Sequence, residues 1–249
     1  MAERAWHRSE PDDVLQAIQC DRTQGLSFDE AAKRRSETGP NIITESSTRT
    51  PLRILWDQLV EPMVLLLLLA VGISFAIDET TDALVILVIV LMNTALGWLQ
   101  DYRAEQAMAA LLEGAIPNVS VRRGGQQRSI RSDQLVPGDI LLLEAGNRVP
   151  ADARILECHG LRISEAALTG ESTAIEKQVA LLDSEDLILS DQTNMVFKGT
   201  DVSAGRAEVV VTATGMRTEL GQIAGLMQSI GAKRTPLQKR LASLGVCRT

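Results

Sequence analysis

Residues Ile163 to Lys177 read ISEAALTGESTAIEK, and within this stretch Thr169, Gly170, Glu171 and Ser172 place a carboxylate and two hydroxyls beside a bare backbone. A glycine beside threonine, glutamate and serine lets a loop backbone approach a ligand closely. A carboxylate on such a loop, here Glu171, can orient or deprotonate a water, as general-base catalysis requires. The same residues also admit a plain structural role, with Thr169 or Ser172 as the N-cap of a following turn. Four residues of common types do not decide between these roles, so the elements that carry them must.

Those elements are short strands. Val119 and Val121 alternate with polar residues, Gly124-Gly125 makes a turn, and Ile130 lies on the returning strand, which predicts a hairpin. Pro137-Gly138-Asp139 turns into Ile140-Leu141-Leu142-Leu143, and Gly146-Asn147 turns again before Arg154-Ile155-Leu156. Further strands are predicted at 194–198 and 207–212, with Gly205 between them. Regular punctuation of this kind predicts a small β-sandwich or a distorted jelly roll. A closing helix over 218–230 carries Leu220, Ile223, Met227 and Ile230 at helical spacing, which reads as core packing. Near the N-terminus, Val14, Leu15 and Ile18 form an apolar stripe behind an acidic first turn. Ser27-Phe28-Asp29-Glu30 is a capping box, and Gly39-Pro40 ends the helix that it opens.

Two stretches differ from everything else. Met63 to Ile77 and Ala83 to Leu99 contain no charged residue. Each falls a little short of the ~20 residues that cross a bilayer core, and flanking Leu59, Val60 and Gln100 can extend them. Length alone is compatible with a buried hairpin of a soluble protein, but apolarity on all sides favours lipid. The connection 78–82 has no lysine or arginine, whereas Arg49 and Arg53 precede the first stretch and Arg103 follows the second. The positive-inside rule then places both polar segments, and both termini, in the cytoplasm of a multi-pass membrane protein. Trp56, Trp98 and Tyr102 suit interfacial anchors or ordinary packing, Glu61 an interfacial charge, and Asn93 an interhelical hydrogen bond.

Composition narrows the classes of function. The 249 residues are 45% hydrophobic and 23% charged with a net charge of −7, which suits a folded chain and, without a basic stripe, argues against nucleic acid. Three cysteines, Cys20, Cys158 and Cys247, lie too far apart for a disulfide framework or a metal-binding pair. His7 and His159 are isolated and read as surface residues, so no metal site is expected.

Many blocks in a fixed order give this chain a resemblance to the N-terminal part of P-type cation-transporting ATPases, of the calcium-pump-like branch. They are Gly39-Pro40-Asn41, Glu61-Pro62 before a leucine-rich stretch, Asn93, Tyr102-Arg103-Ala104-Glu105, and LVPGDILLLEAGNRVPADARIL at 135–156. EAALTGES at 165–172, MVFKGTDVSAG at 195–205, TATGMRTELGQIA at 212–224 and TPLQKRL at 235–241 complete the series. The resemblance implies an α+β membrane protein with a transmembrane helical hairpin and a cytoplasmic, β-rich actuator domain. Its expected organisation is N-terminal helices over 1–53, a hairpin over 54–103 with spans near 60–77 and 83–100, the actuator domain over 104–232, and a lead-in to a third span over 233–249.

In such pumps ATP phosphorylates an aspartate, and the actuator domain then brings its Thr-Gly-Glu loop onto the aspartyl-phosphate. Carried over, Glu171 positions the hydrolytic water, Gly170 lets the loop close in, and Thr169 and Ser172 hold its shape. Ser164, Ala166 and Ala174 depart from the residues usual around this loop, which could loosen it, but the Thr-Gly-Glu core is intact. The chain contains no Asp-Lys-Thr-Gly-Thr motif and no nucleotide-binding segment. No cofactor is therefore expected within it, with ATP and Mg²⁺ belonging to the complete pump. The expected partners are the lipid bilayer, the phosphorylation and nucleotide-binding domains, and later transmembrane helices. On this reading the chain is a piece of a longer pump or a truncated product, and the alternatives are a membrane-anchored regulatory module or a non-functional remnant. The GPN and TPLQKR blocks lean toward calcium or a related ion.

Overall fold

A computed structural model of the chain describes residues 5–43, 51–114, 116–170, 173–184 and 187–231. The chain divides into two compact units, one made of 1–45 with 117–249 and the other of 46–116.

The first unit is α+β, as the sequence implies. Its strands are β1 (Asn118–Arg123), β2 (Gln126–Arg131), β3 (Ile140–Glu144), β4 (Asp152–Ser164), β5 (Ala174–Glu176), β6 (Met195–Val196) and β7 (Asp201–Ala213). They pair antiparallel in the order β2-β1-β3-β7-β4-β5, with β6 also on β4. Alternation decides which residues go inside. Leu141 and Leu143, Ala153 and Ile155, and Val209 and Val211 turn inward to one core with Val121, Leu161 and Ile163. Ile140, Leu156 and Val210, of opposite phase, face the other side, where helix α1 (Pro11–Ile18) covers them with Val14 and Leu15. Helix α2 (Phe28–Thr38) begins at Ser27, whose hydroxyl accepts the Glu30 amide at 3.2 Å, and ends at Gly39. Its Arg34 donates to the Pro137 carbonyl at 2.9 Å and so docks the helix on the 137–139 turn.

β4 and β7 are each 13 residues long, where the sequence suggests separate short strands. Their polar middle hides the continuity, because register shifts between Ile155 and Glu157 and between His159 and Arg162 break the alternation. At that kink Gly205 has φ +80°, and a Cβ there would lie 2.3 Å from the Gly160 carbonyl oxygen.

Chain-distant segments are tied through Asn41, which is 4% exposed. Its amide nitrogen donates to the carbonyls of Ser132 and Pro150, both at 2.9 Å. Its amide oxygen accepts from Lys198 Nζ at 2.7 Å and from the Gly215 amide at 2.8 Å. Beside it, buried Asp152 accepts the amides of Lys198 and Glu219, each at 2.7 Å, and so caps the closing helix α3 of this unit (Glu219–Gly231). Only the first turn of that helix is well covered. Thr218 and Gly221 are buried, but Ile223 and Met227 are exposed, which corrects the reading of its stripe as core. The Ile230 side chain lies outside the described residues. His7 is also buried rather than superficial: its ring Nε2 lies 3.1 Å from the Ser184 carbonyl, and its own carbonyl accepts the Asn194 side chain at 2.8 Å.

The second unit consists of helices α4 (Pro51–Leu59), α5 (Pro62–Ala76) and α6 (Thr80–Gly114). Leu59 and Val60 do not extend the first apolar helix, because Pro62 holds Glu61 in an extended conformation and opens a new helix. α5 is therefore 15 residues, about 22 Å at 1.5 Å per residue. Within α6, Thr80–Met108 is the one stretch among the described residues long and apolar enough to cross a membrane. Helix α6 continues to Gly114, so the polar residues after Leu99 prolong it as expected. Trp98 stacks on Tyr102 with ring centroids 5.5 Å apart and donates to the Pro51 carbonyl at 3.1 Å, so both aromatics pack within the unit. Glu61 is exposed. Asn93 is exposed too, with no interhelical bond among the described residues, and neighbouring Thr94 is the buried one.

Burial raises the Asp152 carboxyl from 3.8 to about 6, against the two amides that favour its charge. The folded protein thus holds this proton to a higher pH than the unfolded chain, so the contribution of Asp152 is full below pH 3.8 and is lost as pH rises through 6. In denaturant unfolding in detergent micelles, wild type is expected to lose about 2–3 kcal/mol relative to Asp152→Asn between pH 4 and 6.5.

Candidate functional site

The TGES loop is the connection between β4 and β5. Register fixes its base, with Arg162 opposite Glu176, Ile163 opposite Ile175 and Ser164 opposite Ala174. Ser164 and Ala174, two of the departures noted in the sequence, are thus a cross-strand pair at the mouth of the loop. From Glu165 the chain makes one helical turn, α7 (Ala166–Thr169), and leaves it through Gly170 at φ +78°. The amides of Leu168 and Thr169 donate to the Glu165 carbonyl at 2.9 and 3.0 Å, and the Thr169 hydroxyl donates to it at 3.1 Å. Thr169 is therefore the last residue of this turn, and the following turn, for which it is a candidate N-cap, begins outside the described residues. Thr169 and Gly170 are both exposed at the surface of the domain. Glu171 and Ser172, the other two candidates, lie outside the described residues.

Below this exposed turn lies a pair that sequence reasoning passed over. Glu165 and Lys177 are 1% and 0% exposed at the side chain, with Glu165 Oε1 2.5 Å from Lys177 Nζ. Lys177 Nζ also donates to the Gln192 carbonyl at 3.3 Å and sits 5.8 Å from the centre of the Phe197 ring. Burial pushes the Glu165 carboxyl up and the Lys177 ammonium down, while the opposite charge of each partner counters the shift. The signal was available in principle. Glu165 continues the phase of Leu161 and Ile163 just past the end of β4, and Lys177 continues the phase of Ile175 just past the end of β5. A charge on the core phase of each of two adjacent strands asks for a partner.

A second buried charge holds the neighbouring wall. Arg154, fully buried, donates to the carbonyls of Ile155, Asn194, Ser9 and Val179 at 2.9 to 3.3 Å. Burial brings its guanidinium down to about 10. Asp139 of the PGD turn, also fully buried, takes two bonds from Arg123 at 2.7 and 2.6 Å and one from the Val136 amide at 2.9 Å. Among the described residues no group of three or more His, Cys, Asp or Glu side chains could hold a metal.

A bulged antiparallel sheet that presents an exposed turn, ending at Thr169-Gly170, on a buried base, with a cap of N-terminal helices, defines an actuator-type domain. Residues 114–228 match the P-type ATPase actuator domain family, and residues 6–74 match the N-terminal family of cation transporters and ATPases. The chain belongs to the P-type ATPases. It is 42% identical over 240 residues to a calcium-transporting ATPase of Bacillus subtilis, a match covering 96% of this chain and 27% of that protein. It is 35% identical over 244 residues to calcium-transporting ATPase 1 of Bacillus cereus, covering 96% of this chain and 28% of that protein. It is 36% identical over 241 residues to the probable cation-transporting ATPase F of Mycobacterium tuberculosis, covering 97% of this chain and 26% of that protein. The chain thus spans about a quarter of the length of these curated relatives.

Among the described residues no atom lies within 4 Å of a methyl group built on Gly170, so there the left-handed backbone sets the penalty. Gly170→Ala is expected to cost about 1–2 kcal/mol in denaturant unfolding. The same titration on Gly205→Ala is expected to show a larger loss, because that methyl would meet the Gly160 carbonyl.

Proposed function

We propose that this chain serves as the actuator portion and first membrane hairpin of an ATP-driven cation pump, and that its TGES loop promotes hydrolysis of an aspartyl-phosphate held by another domain. The observation that carries this reading is the loop itself: an exposed turn ending in a left-handed glycine, set on a rigid buried base at the edge of the sheet. Glu171, next in sequence, is the acceptor that would align a water in line with the acyl phosphate. Phosphoryl transfer depends chiefly on positioning and electrostatics, so one well-placed carboxylate on a firm support is an adequate contribution. Gly170 removes the side chain that would hinder approach, and Thr169 and Ser172 shape the turn. ATP and Mg²⁺ are bound by the parts of the pump that carry the phosphorylated aspartate.

Calcium or a closely related cation is the proposed cargo, on the strength of the relatives' names and the GPN and TPLQKRL blocks. Both α5 and α6 are proposed to lie in the bilayer, with the acidic 78–82 connection outside and both polar segments in the cytoplasm, as the arginine distribution directs. A separate regulatory module has no specific observation in its favour.

The 249-residue chain, purified alone, is expected to show no Mg²⁺-dependent ATP turnover above background, and clear turnover would overturn the division of labour proposed here. The direct test is a chimera in which this chain replaces the matching stretch of the Bacillus subtilis calcium-transporting ATPase. With labelled ATP, Glu171→Gln is expected to leave phosphoenzyme formation intact and to slow its decay by about 10²-fold or more. Unchanged decay would remove the role assigned to Glu171.

A further inference from the structure

We propose that Glu165 and Lys177 are positioning residues for the TGES loop, their buried ion pair clamping its two ends together. The proposal rests on the reading of that loop as the hydrolytic element. Glu165 is where the loop leaves β4, and its carbonyl anchors the turn that carries Thr169. Lys177 follows the last residue of β5, and its amide donates to the Leu161 carbonyl at 2.9 Å, which locks it to β4. Between the two lies a strand of only 3 residues, too short a ladder to hold a loop rigidly by itself.

The ion pair supplies what the ladder lacks. Its side chains point into the core, where screening is weak, and water cannot substitute for either partner. The geometry is one-sided, since Lys177 has the Gln192 carbonyl as a second partner, whereas no hydrogen-bond donor among the described residues adds to Lys177 at the Glu165 carboxylate. The pair therefore contributes little to net stability and much to where the start of the loop sits. A pair of matched apolar residues can replace a buried ion pair without loss of fold. It cannot replace the directional tie.

The test uses Glu165→Met with Lys177→Met, and Glu165→Gln as the conservative variant. Hydrogen exchange is followed on the 249-residue chain in detergent micelles. In the double variant the β4 and β7 amides are expected to keep wild-type protection, while amides of 166–170 and 173 exchange about tenfold faster or more. Glu165→Gln, which still accepts a hydrogen bond from Lys177, is expected to fall between the two. In the chimera the double variant is expected to form phosphoenzyme normally and to lose it about 10²-fold more slowly, as a misplacement of the loop by about 1 Å would produce. Unchanged exchange in the loop, or loss of protection across the whole sheet, overturns the proposal. So does normal decay in the double variant when Glu171→Gln slows it. Normal decay in Glu171→Gln itself overturns the reading of the loop, and the positioning role falls with it.

Discussion

The side chain of Asn41 is the interaction on which the β-rich unit depends. This unit is made from two stretches of chain, 1–45 and 117–249, with the apolar helices inserted between them. An amide offers two donors and an acceptor with two lone pairs. Asn41 spends all of them on four partners: the carbonyls of Ser132 and Pro150, the Lys198 ammonium and the Gly215 amide. Each partner belongs to a different turn or strand end. Aspartate could not donate to the two carbonyls, and a shorter side chain could not span them. Gly39-Pro40, which stops α2, delivers Asn41 to that position.

Buried charges recur around this tie. Asp152, Arg154, Asp139, Glu165 and Lys177 are nearly or fully enclosed, and each is matched to amides, carbonyls or an opposite charge. Such groups are costly to enclose, and a loss of one partner leaves the other stranded in a medium of low polarity. Their value is in direction. An apolar core of valine, leucine and isoleucine tolerates small slips, whereas a guanidinium bonded to four carbonyls does not. The PADARIL and PGD blocks are therefore positional devices: Asp152 fixes the start of the closing helix, Arg154 gathers three loops, and Asp139 fixes the turn into β3.

The loop that carries Thr169 and Gly170 inherits its placement from this scaffold. β4 is an interior strand next to the edge of the sheet, bonded to β5, β6 and β7, and its far end keeps Ile163 and Glu165 buried. An exposed turn that starts from such a strand has a firm root.

Parts whose physics is local are legible in the amino-acid sequence. The Ser27 cap, the stop at Gly39, the Gly124-Gly125 hairpin, the apolarity of both long stretches and the identity of Thr169 and Gly170 as the exposed turn all follow from neighbouring residues. The family follows from the order of its blocks. Tertiary structure decided what depends on residues far apart in the chain. Ile223 and Met227 have perfect helical spacing yet lie exposed, because only the first turn of their helix is docked. His7 is buried because the 182–184 segment and Asn194 close over it. The first apolar helix, which Leu59 and Val60 could extend, starts instead at Pro62, because the ring disfavours a helical Glu61. Glu165 and Lys177 each look like surface charges in sequence. Only the pairing of β4 with β5 puts them on one face at 2.5 Å, since burial is a property of the assembled sheet and not of either residue.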